Sequence, residues 1–253
     1  MPISAIFTSL RDIALSTVYP FACRVCDRPV VRLADGVGCA DCWLEVARRR
    51  AGSTCCGKCG VSLPGASGAA ECGRCAGMSF VAARSVGPHE GVLRASVLWL
   101  KRYPQIGQRL EGLLGEAWSG LPHNAGPNQD RFDGIVPIPL HPLRQAQRTF
   151  NQAEVIGRVI RRASGCRLET SALIRVRHTA RHRLGMGDAE RARSLRGAFE
   201  VVAPRLVRGR RLLLIDDVLT TGSTANEAAR ALLESGAREV ALLTISRVER
   251  LRG

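Results

Sequence analysis

The strongest run of apolar positions is Leu212 to Ile215, four consecutive aliphatic residues in RLLLID. An uninterrupted run of this kind suits a strand buried on both faces, as in a parallel sheet. From Ala225 to Leu233 the apolar positions switch to helical spacing and stop at Ser235-Gly236, where glycine permits the left-handed turn that ends a helix. The same alternation recurs along the chain. FVAARSV (80–86), GIVPIP (134–139), SALIRV (171–176), AFEVV (198–202), RLLLID (211–216) and REVALLTIS (238–246) read as strands. Residues 91–101, 106–118, 150–163 and 223–235 read as helices. Strands alternating with helices predict an α/β fold with a mainly parallel sheet. LPHNAGPNQD (121–130) is a polar loop, and the charged, aperiodic segment 177–197 is expected to be a long mobile loop.

Residues 1–20 read as a short amphipathic helix ending near Pro20. They carry no basic leader and no small-residue cleavage pattern, and Arg11-Asp12 interrupts the apolar stretch, so a cytoplasmic location is expected. No run approaches the ~18 apolar residues of a membrane span.

Cysteine divides the chain. Residues 21–77 hold nine of the ten cysteines, in four CxxC pairs: Cys23/Cys26, Cys39/Cys42, Cys56/Cys59 and Cys72/Cys75. Two thiolates at this spacing can face one tetrahedral zinc ion, so four pairs supply two structural sites. Disulfides are the alternative, and a reducing compartment disfavours them. The intervening segments hold 12, 13 and 12 residues, so spacing alone leaves the pairing open. The outer two contain turn material, ADG (34–36) and PGASG (64–68), as a zinc-ribbon hairpin needs. The middle one reads as a short helix with Arg48 to Arg50 at its negative end. Sequential pairing is therefore expected: Cys23, Cys26, Cys39 and Cys42 on one ion, Cys56, Cys59, Cys72 and Cys75 on the other. Cys55 is spare, and Cys166 reads as a small buried hydrophobe. An ion holding four thiolates has no open position for catalysis. The expected organisation is a helix (1–20), a double zinc ribbon (21–78) and an α/β domain (79–253).

Charge adds a second clue. The formal net charge is +15, and 35 of the 37 basic residues are arginine. Codon bias can produce that ratio. The excess is local, however: His141 to Arg211 holds 17 arginines, no lysine and five acids. Arginine is the better bidentate partner for phosphate, so anionic ligands or nucleic acid are expected.

The candidate chemistry lies in IDDVLTTGST. Thr220, Thr221, Ser223 and Thr224 offer hydroxyls, Gly222 lets backbone approach a ligand, and the loop opens a helix whose N–H groups favour an anion. No GKS or GKT follows, so this is not a Walker loop. Asp216 and Asp217 would repel a phosphate placed on them, whereas adjacent carboxylates can accept from the vicinal hydroxyls of a ribose. The alternative is a helix cap beside solvated acids.

LLLIDDVLTTGST resembles the phosphoribosyl-pyrophosphate motif of type I phosphoribosyltransferases. IVPIPLHPLRQAQRTFNQAE (135–154) and ERARSLRGAFEV (190–201) resemble segments of the ComF family, which joins a zinc-binding N-terminal module to a phosphoribosyltransferase-like domain and is linked to uptake of transforming DNA. Thr149, His182 and Ser194 stand where that family favours Gly, Gln and Asn. The resemblance implies that Asp216 and Asp217 hold the ribose hydroxyls of phosphoribosyl pyrophosphate, usually with magnesium. It implies that Thr220 to Thr224 bind the 5′-phosphate, and that Pro139, Leu140 and His141 form a pyrophosphate loop with Arg144 and Arg148 nearby. His141 also reads as a structural turn residue before Pro142. Two functions stay open: a phosphoribosyltransferase, or a non-catalytic protein that keeps the fold and meets single-stranded DNA or the uptake machinery through its ribbons and arginines. Aromatic content of 4% disfavours a base-stacking platform, and Trp99 reads as core packing.

Overall fold

The computed structural model describes residues 21–51, 54–63, 72–73, 75–121, 132–177 and 194–249. The expected helix at 1–20, the turn at 64–68, most of the 121–130 loop and the middle of the 177–197 loop lie outside the described residues.

Four elements make up the first half: helix α1 (Ala40–Ala51), which lies between the two cysteine clusters and carries Cys42, strand β1 (Ala82–Pro88), and helices α2 (Gly91–Leu100) and α3 (Gln108–Ser119). Strand β2 (Gly134–Pro137) leads through a short helix α4 (Pro142–Gln147) to helix α5 (Gln152–Ser164). Short strands β3 (Arg167–Leu168), β4 (Leu173–Arg175) and β5 (Phe199–Val201) follow. Strand β6 (Arg211–Leu219), helix α6 (Ser223–Glu234) and strand β7 (Glu239–Arg247) complete the order.

Local sequence explains the helix ends. Asn151 caps α5 by accepting from the Ala153 N–H, and Gly165, at φ +74°, turns the chain out of it. The Asn151 amide also donates to the Ile138 carbonyl, tying the start of α5 to the end of β2.

Five strands form a parallel sheet in the order β1-β7-β6-β2-β3. Alternation along β6 and β7 sends side chains to two separate cores. Leu213, Ile215, Ala241 and Leu243 pack with Trp43 of α1 and the apolar faces of α2, α3 and α5. Leu212, Leu214, Val240 and Leu242 pack with α6, Phe199 and three cysteines of the second cluster, Cys56, Cys59 and Cys75. The chain leaves β2 towards β3 on one side and leaves β6 towards β7 on the other, although β2 and β6 are neighbours. Such a divergence opens a crevice at the carboxyl ends of the two strands, where open α/β sheets take ligands.

Three differences from the sequence expectation matter. Strand β6 runs on to Leu219 instead of ending at Asp216, because Asp216, Val218 and Leu219 stay in register with Thr244, Ser246 and Arg247 of β7. SALIRV and AFEVV do not join the main sheet: β4 and β5 pair antiparallel with each other, placing Arg175 opposite Phe199. Helix α4 and the two-residue β3 carry no period long enough to be read from sequence.

Candidate ligand cleft and cysteine clusters

At the carboxyl ends of β2 and β6 lies a cleft of about 410 Å³. Register explains its walls. Pro137 pairs with Ile215 and the Ile138 N–H donates to the Ile215 carbonyl, so the loop after β2 leaves directly beside Asp216. The cleft is lined by Asp216, Asp217, Thr220 and Thr224 from one side and by Pro139, Leu140, Arg144 and Arg148 from the other. His89, Lys101, Asn151, Gln152 and Arg175 add further polar groups to the lining.

Asn151 and Gln152 fall in the quoted segment 135–154, whereas His89, Lys101 and Arg175 were not expected at the site. Lys101 is one of only two lysines in the chain, which was a usable signal. Arg175 gave none. Its place depends on the β4–β5 pair, which sets its guanidinium over the Phe199 ring, 5.4 Å from the centroid.

The cleft is electrostatically unbalanced. Four cations (Lys101, Arg144, Arg148 and Arg175) meet two carboxyls there. Burial pushes the Asp216 carboxyl up to about 8, and the neighbouring Asp217 adds to the rise. A hydrogen bond from the Asp217 N–H and the charges of Arg175 and Lys101 pull the other way and do not win. Burial likewise lowers the basicity of Arg175 and of His89. The His89 Nδ1 lies 2.7 Å from the Ser246 hydroxyl. A multiply charged anion would relieve the crowding of cations, and hydroxyl donors or a divalent cation would favour ionised Asp216. Paired carboxylates beside ligand phosphates also fit magnesium, which binds through one or two carboxylates and substrate oxygens.

The hydroxyl bend divides between two cavities. Thr220 and Thr224 line the acidic cleft. Thr221, Gly222 and Ser223 line a second cavity, also of about 410 Å³, whose other walls include Cys59, Cys75, Met78 and Arg247. Thr220 lines both. The Thr221 and Ser223 hydroxyls lie 2.9 Å apart, and the Ser223 N–H donates to Thr221 Oγ1. Gly222, at φ +82°, turns the chain into α6, a left-handed conformation that glycine adopts without strain. His141 is not among the residues lining the cleft; its ring nitrogen accepts from the Leu143 N–H and caps α4. On the far flank of α6, the Gly197 N–H donates to Glu227, which also pairs with Arg230. This anchors the described end of the arginine-rich loop to the helix that begins at the bend.

The eight paired cysteines gather into two clusters, Cys23, Cys26, Cys39, Cys42 and Cys56, Cys59, Cys72, Cys75, each with its sulfurs within 4.8 Å of one another. Sequential pairing is what the structure shows. Neighbouring sulfurs stand 3.3 to 3.7 Å apart. That is far longer than the ~2.0 Å of a disulfide and close to the ~3.8 Å edge of a tetrahedron with 2.3 Å zinc–sulfur bonds. The donor set therefore fits zinc. Each cluster also holds a thiol brought down to about 6, and Cys23 in the first is lowered as well. Backbone N–H donation near Arg28 brings Cys26 to about 6. In Cys56, burial opposes the drop but N–H groups of Cys59 and Cys72 outweigh it, again to about 6. Metal binding requires such thiolates. Cys55 is exposed and outside both clusters.

No helix among the described residues is long and apolar enough to cross a membrane. The phosphoribosyl transferase domain family matches residues 155–251. The chain is 32% identical over 233 residues to the DNA utilization protein YhgH of Salmonella typhimurium, covering 90% of this chain and 97% of that protein. The protein of the same name from Salmonella typhi is 30% identical over 234 residues, with 90% and 97% covered. Competence protein F of Haemophilus influenzae is 34% identical over 116 residues, which is 46% of this chain and 50% of that protein.

Proposed function

The chain belongs to the ComF family, and from that premise we propose that its cleft binds phosphoribosyl pyrophosphate or a closely related ribose phosphate in the service of DNA uptake or use. One observation carries the reading: two carboxyls, two bend hydroxyls and four cations face a single cleft where β2 and β6 diverge. In this reading Asp216 and Asp217 accept from the ribose 2′- and 3′-hydroxyls. Thr220, Thr224 and the N–H groups opening α6 hold the 5′-phosphate, where the helix dipole favours an anion. Arg144, Arg148, Arg175 and Lys101 face the diphosphate. A magnesium ion held by the two aspartates and ligand oxygens would neutralise part of that charge. Should the protein transfer the phosphoribosyl group, the same cations would stabilise the departing diphosphate, and positioning would supply the remainder of the rate. Thr221, Gly222 and Ser223 shape the bend.

Calorimetry with the Asp216→Asn/Asp217→Asn variant tests the assignment. Loss of phosphoribosyl-pyrophosphate binding with zinc content unchanged is expected. An affinity equal to that of the parent chain removes the ribose assignment. A screen of nucleobases and amines for pyrophosphate release then decides between transfer and binding alone.

A specific surface favours the second reading, a protein that also holds single-stranded DNA. An open groove of about 730 Å³ is lined by Arg24, Arg94, Lys101 and Arg102 together with Trp99 and Tyr103. The Trp99 and Tyr103 rings are 4.2 Å apart, and the Arg24 guanidinium stands 5.3 Å from the Trp99 ring. Trp99 does pack against the core, as the sequence indicated, but its ring also forms part of this groove. Cations along a groove with aromatic faces suit unpaired bases. Lys101 lines both groove and cleft. Binding of an oligothymidylate that weakens steeply with salt and is lost in Arg24→Ala/Arg102→Ala supports this reading; salt-independent binding contradicts it.

A further inference from the structure

The second cysteine cluster and the hydroxyl bend touch. An ideal Cβ on Gly222 would lie 2.7 Å from the Met78 Cε and 2.8 Å from its Sδ, so the Met78 thioether closes over the bend. Both arms of the cluster hold Met78 in turn: its N–H donates to the Cys75 carbonyl, and its carbonyl accepts from Lys58 Nζ at 2.8 Å. One residue on, the Ser79 N–H donates to Asn226 Oδ1 at 2.6 Å, in the first turn of α6. The strand ends are tied to the same place. Arg247 Nη1 donates to the Cys59 carbonyl, and the Val248 N–H donates to the Leu219 carbonyl, the residue before the bend. Arg247 is 8% exposed. Burying a guanidinium needs nearby negative charge, and four thiolates around a divalent ion carry roughly two net negative charges.

We infer that the second cluster and Met78 are positioning elements for the bend, so that metal loading at Cys56, Cys59, Cys72 and Cys75 sets how tightly the bend holds a ligand phosphate. The inference rests on the ribose-phosphate reading for its ligand. Among the described residues the first cluster makes no such contact with the bend: Cys23 and Cys39 pack in a small group with Val30, and Cys42 meets the core on the other face of the sheet. Outside support matters to the bend because the chain turns there at a glycine. Thr221 and Ser223 bond to each other, and Gly222 provides no side chain to fix the turn. Met78 fills the space that a larger residue at 222 would occupy.

The zinc-loaded full chain provides the test, with ribose 5-phosphate as the probe. Met78→Ala is expected to weaken its binding about tenfold in calorimetry, a loss typical of a displaced positioning contact. Bound zinc should stay unchanged, and Met78→Leu should recover most of the affinity. Hydrogen exchange at the amides of Thr221 to Asn226 should quicken in Met78→Ala and in Cys59→Ser, and stay at the parent rate in Cys26→Ser. Exchange needs no ligand, so a parent chain that ignores ribose 5-phosphate defeats the ligand reading and still leaves the coupling decided. Parent-like exchange at the bend in Met78→Ala, or equal acceleration by Cys26→Ser, overturns the inference.

Discussion

The two cysteine clusters share a spacing, a set of four sulfurs and a short antiparallel bridge around the first pair (Ala22 with Pro29, Cys55 with Ser62). They differ in what surrounds them. Cys23 and Cys39 lie in a local apolar group of their own, and the first cluster reaches the sheet's core through Cys42 at its edge and through Trp43, Val46 and Val37. Cys56, Cys59 and Cys75 lie within the apolar layer that covers one face of the sheet, beside Phe80, Leu219 and Ala225. Gly60 brings the second knuckle so close to β1 that a Cβ there would lie 3.0 Å from the Ala83 carbonyl oxygen. A cluster that only closes a small loop-rich segment can be lost with that segment. A cluster built into the face of a sheet cannot be removed without opening the sheet's core.

The largest expected effect follows from that contrast. Cys59→Ser should lower the stability of the whole cooperative transition by several kcal/mol, about 10 °C or more in melting temperature for a chain of this size. Cys26→Ser should leave the main transition within about 3 °C of the parent. Differential scanning calorimetry of both variants, with zinc counted, checks the pair. Similar losses would show that the clusters are equivalent.

Next in size is Gly222→Ala. The φ of +82° and the Met78 contact both oppose a methyl group, and a loss of about 2 kcal/mol is expected in denaturant titration. Gly222→Ala/Met78→Ala should recover part of it, because the steric component is then removed and the strained φ remains. Full additivity of the two losses would contradict the contact.

The smallest effect at any single pH step is a pH slope. In the folded chain Asp216 titrates near 8, whereas the unfolded carboxyl ionises at about 3.9. Between those values the folded state holds a proton that the unfolded state has released, so ligand-free stability falls as pH rises from about 4 towards 8 and levels off above. Asp216→Asn should remove this slope, at most about 1.4 kcal/mol per pH unit, and leave the clusters' zinc in place. Urea titrations at several pH values measure it. An unchanged slope in the variant would show that Asp216 is not the group responsible.

Much of this arrangement was legible in sequence because its signals are local. Four CxxC pairs with turn material between the outer ones declare two clusters, and Leu212 to Ile215 declares a strand buried on both sides. The remainder depends on partners distant in the chain. Strand β6 extends to Leu219 because β7 is long enough to pair with it, which no apolar run records. Arg175 enters the cleft only because β4 finds β5 across the loop between them. Met78 follows a cysteine pair in a segment with no period, and its role is set by a glycine 144 residues away. The contrast between the clusters was likewise hidden, since equal spacing says nothing about which apolar layer receives the sulfurs.

The central claim is that a sugar phosphate binds where β2 and β6 diverge. Amide chemical shifts of the zinc-loaded chain, followed during titration with magnesium and phosphoribosyl pyrophosphate, test it most directly. Saturating shifts concentrated at residues 139–148 and 216–224 are expected, with those at 23–42 unmoved. Shifts confined to the groove around Trp99 and Tyr103, or none anywhere, would contradict it.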